Sequence, residues 1–236
     1  LTGSVAGAAA RTAVSPVVTR ERVAWVVALA TVAAIGVAAG LLARRPSPSA
    51  PELRFDIVTP PKSGTTSIAI SPDGHRIVFT ATSEGHTQLW IRSLDAVALQ
   101  PLVGTDNATQ PFWSPDGRSV GFFADTKLKR IDIAGGSVQT LADAGAPRGG
   151  TWNRDGTILF APTAASPIYR VSATGGEPTV LTQVEKPQQT DHRFPQFLPD
   201  GRHFLYYARG TPEGRGVYVG QLDGTHSPRL VDADAA

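Results

Sequence analysis

The chain of 236 residues contains no cysteine. Disulfides, thiol catalysis and cysteine-ligated zinc are therefore excluded. It contains no methionine and begins at Leu1, which sets up the expectation of a fragment or a processed product. Aromatic residues reach only 7%, whereas there are 24 glycines and 19 prolines. That balance suits many short elements joined by turns more than long helices. No Gly-x-Ser-x-Gly elbow is present, so the sequence offers no nucleophile for a peptidase or esterase. The five histidines lack metal-ligand spacing, and neither a metal nor a cofactor is expected.

Charge is unevenly distributed. The net charge is +2, yet residues 1–45 hold five arginines and one glutamate. The remainder holds 17 basic and 19 acidic residues, close to neutral and without the electrostatic footprint of a nucleic-acid binder. The basic run Lys127–Arg130 reads as the solvated face of a strand, with Asp125 and Asp132 close by.

Between Val23 and Ala43 lie 21 residues with no charge. Such a stretch covers about 30 Å as a helix, the thickness of a bilayer core. Arg20 and Arg22 flank one end and Arg44 and Arg45 the other. The expectation is a transmembrane helix over 20–45, preceded by a flexible linker over 1–19 and followed by a proline-rich stalk over 46–52. The bilayer would be a partner through residues 23–43. A slight excess of arginine before the span places the N-terminus in the cytoplasm and the rest outside the inner membrane. Gly36 and Gly40 form a small-xxx-small pair that could bring two helices together as a homodimer.

The rest of the chain repeats. Turn motifs begin at Ser71, Ser114, Asn153 and Leu198, at spacings of 43, 39 and 45 residues. Each is preceded by an apolar strand ("SIAI", "QPFW", "GGTW", "FPQF") and followed by a second ("RIVFT", "SVGFF", "TILF", "HFLYY"). A third strand, a Gly-rich hairpin and a short fourth complete each unit. A period near forty residues with four strands per unit indicates the blades of a β-propeller over 53–236, in an all-β class. In Ser-Pro-Asp-Gly, proline presets φ for the second position of a type I turn, and aspartate and glycine suit the third and fourth. Asp73, Asp116, Asp155 and Asp200 are therefore turn residues; a catalytic carboxylate is needed once, not four times. "LRFDIVT" at Leu53–Thr59 reads as a further strand ahead of the first unit. The fourth unit already has its own outer strand, so the expectation is a partial propeller, from a parent of six or more blades.

The repeated "SPDG(R/H)x(I/V)xF", followed by "LW/IY…GG", resembles the TolB-like, WD-repeat-like bacterial β-propellers. The order of basic linker, span, "RRP" stalk and propeller is similar to the C-terminal half of acidobacterial membrane-anchored serine/threonine protein kinases. That resemblance implies an extracytoplasmic propeller serving a kinase domain upstream. No kinase motif stands in this chain, and winged-helix regulators of similar arrangement are a second parent.

Polar residues where the chain enters the inner strands are the candidate ligand site: Gln110, Arg148, His192 and Arg193. In propellers such positions line the central funnel. The competing reading is that they fix loops through backbone hydrogen bonds. Trp113, Trp152, Phe112 and Phe197 read as packing between blades. The leading expectation is a non-enzymatic sensor or scaffold binding a protein, peptide or small molecule at the funnel. The alternatives are a TolB-like envelope scaffold, or the propeller half of a regulator or serine hydrolase.

Overall fold

A computed structural model describes residues 17–43, 65–83, 85–96, 98–224 and 228–231. The chain divides into two units, Leu1–Arg54 and Phe55–Ala236. The expected stalk and the strand at Leu53–Thr59 lie outside the described residues, as does most of the linker.

In the first unit, α1 runs Val17–Ala43. Among the described residues, no helix is long and apolar enough to cross a membrane. The single-pass span and the inner-membrane localisation built on it are corrected accordingly. Gly36 has nothing within 4 Å of a Cβ placed on it. Gly40 lies outside the residues whose side chains are described.

The second unit is four antiparallel sheets of four strands, each in simple sequence order. The first blade is β1 (Thr65–Ile70), β2 (Arg76–Ser83), β3 (His86–Ser93) and β4 (Leu99–Pro101). The second is β5 (Thr109–Trp113), β6 (Ser119–Ala124), β7 (Lys127–Asp132) and β8 (Gln139–Asp143). The third is β9 (Gly150–Trp152), β10 (Thr157–Phe160), β11 (Tyr169–Ser172) and β12 (Thr179–Val180). The fourth is β13 (Gln189–Phe197), β14 (His203–Gly210), β15 (Gly216–Gln221) and β16 (Arg229–Val231). β13 begins five residues before the "FPQF" strand read from the sequence.

Alternation along the second strands explains how the blades stack. Successive residues of a strand point to opposite faces. Val120, Phe122 and Ala124 of β6 join Val78, Leu89 and Ile91 of the first blade. Phe123, one residue out of phase, joins Phe112, Ile158 and Phe160 at the seam with the third blade. In β10, Leu159 turns the other way and packs with Phe204, Tyr206 and Ala208 of the fourth. β2, β6 and β10 therefore each serve two cores, and β6 is buried along its whole length. Every fully buried phenylalanine here contributes about 1.5–3 kcal/mol. The inner strands pack in the order β1, β5, β9, β13. Among the described residues, β13 makes no comparable packing against β1.

Candidate functional site

Four inner strands run side by side, so two mouths frame the space between them. One mouth lies where these strands end in the repeated turns. The other lies where they begin.

At the first mouth Asp73, Asp116 and Asp200 close their turns, whereas Asp155 gives only its amide. Asp116 accepts from Ser114 Oγ at 2.6 Å and from the Arg118 amide at 3.0 Å. Asp73 does the same with Ser71 Oγ and the His75 amide, and these bonds hold its carboxyl at about 2. Asp200 accepts the amides of His203 and Arg202 and the His203 ring, and also lies at about 2. In the third unit Asn153 stands where the others have serine or leucine, and it accepts the amides of Asp155 and Thr157. Its Nδ2 donates to Gly201 O of the next blade at 2.8 Å. Trp113 Nε1 likewise donates to Ala69 O of the preceding blade at 3.1 Å. Trp113 thus combines packing with a tether, and Arg76 and Arg130 lie over Trp113 and Trp152.

Between these turns lies a cavity of about 620 Å³, lined from all four blades. Ile68, Ile70, Trp113, Trp152 and Phe197 supply apolar wall, Pro72, Pro115 and Pro199 its rim. Ile68 and Ile70 are 49% and 65% exposed. Thr151, Asn153, Arg154 and Gln196 are the polar side chains beside them, and no carboxylate joins the lining. The sequence points to the opposite mouth for binding and gives these aromatics a packing role alone.

That opposite mouth is built on irregular backbone. The pairing of β5 with β6 shifts register between Thr109 and Phe112, and that of β13 with β14 between Arg193 and Gln196. Gln110 and Phe194 sit at these bulges with φ of 48° and 55°, and Gly149 occupies the matching place with φ of 91°. Each bulge amide bonds to the preceding blade. Gln110 N donates to Ser67 Oγ at 3.3 Å, Gly149 N to Gln110 Oε1 at 2.6 Å, and Phe194 N to Arg148 O at 2.8 Å.

The four sequence-derived site residues separate into two groups here. Gln110 and Arg148 come together on one acceptor, Pro147 O, at 3.3 Å from Gln110 Nε2 and 2.8 Å from Arg148 Nη1. Arg193 is ion-paired to Asp191, itself buried, with Nε 2.7 Å from the carboxylate. His192 has no exposed surface. Its Nδ1 lies 2.7 Å from Thr182 Oγ1 and its Nε2 2.8 Å from Gln189 Oε1. Because Gln189 Nε2 donates to Gly214 O, its Oε1 faces the imidazole as an acceptor. Nε2 therefore carries the proton and Nδ1 accepts from threonine. Burial pushes the His192 pKa down to about 4, against the opposing pull of Asp191. This geometry makes His192 a neutral wall residue.

Phe194 was missed by sequence reasoning. It is 50% exposed, and the Arg193 guanidinium lies 6.0 Å from its ring centroid. The signal was the shared proline: Gln110-Pro111 and Phe194-Pro195 align the two bulges. Among the described residues, no group of three or more His, Cys, Asp or Glu could hold a metal ion.

No protein-family model matches the chain. A curated relative, the uncharacterized peptidase YuxL of Bacillus subtilis (strain 168), is 30% identical over 146 residues. The match covers 60% of this chain and 21% of that protein, so the chain spans about a fifth of its relative's length. Among solved structures, the putative TolB from Agrobacterium tumefaciens superposes with a TM-score of 0.60 at 19% identity, over 70% of this chain and 64% of that one. TolB from Acinetobacter baumannii gives 0.62 at 16%, over 73% and 45%. A puromycin hydrolase gives 0.53 at 17%, over 72% and 29%. These likenesses overturn the expectation of a non-enzymatic chain and point to propellers of enzyme families. That expectation rested on missing catalytic motifs, whereas the relative is a peptidase and a fold neighbour is a hydrolase. The chain has the TolB-like β-propeller fold.

Proposed function

We propose that this chain is the propeller module of a peptidase-type protein and that its central cavity receives an extended peptide segment. The observation that carries this reading is the cavity of about 620 Å³, walled by four inner strands and faced by exposed Ile68 and Ile70. Ligand cavities of about 300–1,000 Å³ with apolar walls and few polar groups are typical of such sites. The likeness to a peptidase supports a peptide as the occupant. The kinase origin expected from the span and stalk has no comparable support. The span is corrected above, and the stalk lies outside the described residues.

Trp113 and Trp152 line the cavity and report on it. Titrating the full chain with the tripeptide alanyl-alanyl-phenylalanine is expected to change tryptophan fluorescence saturably. Ile70→Arg, which puts a charge on an exposed position of the wall, is expected to abolish that change while leaving the fold intact. An unaltered titration in this variant would refute the cavity as the site.

A further inference from the structure

We infer that the mouth where the inner strands begin is a carboxylate site, taking an anionic group that carries an apolar neighbour, such as the C-terminus of a peptide. The inference rests on the reading of the central space as a peptide channel and assigns its polarity.

Three observations converge. Arg148 Nη1 is held by Pro147 O at 2.8 Å and Ala146 O at 3.4 Å. Its Nε and Nη2 make no hydrogen bond among the described residues, so a fixed guanidinium edge remains for an acceptor. A guanidinium presents paired donors in a plane that matches a carboxylate. Second, the neighbouring guanidinium of Arg193 is already engaged. Arg193 pairs with Asp191, whose carboxylate is enclosed and also accepts from Thr190 Oγ1 at 2.9 Å. Arg148 has no ion pair among the described residues.

Third, Phe194 is held beside it in a backbone conformation that a bulky residue adopts at a cost. Residues in such regions persist where the surroundings over-determine them, and they gather at ligand clamps. Here the Phe194 amide is bonded to Arg148 O. A Cβ on Gly149 would come within 3.3 Å of the Phe194 ring, which leaves glycine as the residue beneath it. The half-exposed ring and the guanidinium are thereby fixed on adjacent blades. An apolar group against the ring would set its carboxylate toward Arg148.

The test compares three probes on the full chain by calorimetry: alanyl-alanyl-phenylalanine, its C-terminal amide, and 3-phenylpropionate. The free acid is expected to bind about tenfold or more tightly than the amide, the scale of one charge-assisted hydrogen bond. Arg148→Gln is expected to bring the two peptides level and to abolish 3-phenylpropionate binding. Equal binding of acid and amide to the unmodified chain overturns the carboxylate site and leaves the peptide channel standing. Binding of 3-phenylpropionate that is lost in Arg148→Gln, with neither peptide bound, supports the carboxylate site and removes the channel. Absence of binding by all three probes overturns both.

Discussion

Protonating His192 is expected to destabilise the propeller, and the structure sets both the size and the pH range. The imidazole is enclosed, with Tyr206 4.6 Å away and the neutral Nε2–H form matched to Thr182 and Gln189. A proton added at Nδ1 would face the threonine oxygen, which already accepts the Ile168 amide. The folded pKa of about 4 lies below the ordinary 6.5, so the unfolded chain binds the proton more tightly. The stabilising contribution is complete above about pH 6.5, declines as pH falls, and is gone below about pH 4. At about 1.4 kcal/mol per pKa unit, the interval corresponds to a loss of about 3 kcal/mol. Asp73 and Asp200, held at about 2, lose their own contributions only below this window. Urea unfolding of the full chain at pH 7, 5.5 and 4 measures the slope. The His192→Gln variant, although less stable throughout, is expected to be nearly flat across the same range. Parallel slopes in the two proteins would refute the argument.

Two further expectations concern the seams between blades. A Cβ on Gly150 would come within 2.6 Å of the Phe112 ring, which also covers Gly121. Gly150→Ala is therefore expected to lower stability by about 1–3 kcal/mol in thermal denaturation, as overpacking does. Shrinking the ring in the same molecule by Phe112→Leu is expected to recover part of that loss. Asn153→Ala removes two acceptor bonds within its turn and the link to Gly201 O, at an expected cost of about 1–3 kcal/mol by urea unfolding.

The blades were legible because their determinants are local. Proline and glycine fix the turns at Ser71, Ser114, Asn153 and Leu198, and alternation fixes the strands that flank them. The site was only half legible, because its determinants lie between blades. Nothing near His192 in the sequence shows that Thr182 and Gln189 will enclose it. Nothing near Ile70 shows that β1 faces a cavity on the side away from Ala69. Phe194 reads as an ordinary strand aromatic until the bulge turns it outward.

Gln110 has a consequence beyond its own blade. Its amide N–H reaches Ser67 behind it, while its side chain both donates to Pro147 O and accepts the Gly149 amide ahead of it. Arg148 bonds to the same carbonyl. A single glutamine therefore bridges three blades at this mouth, and Arg148 shares the carbonyl on which that bridge ends.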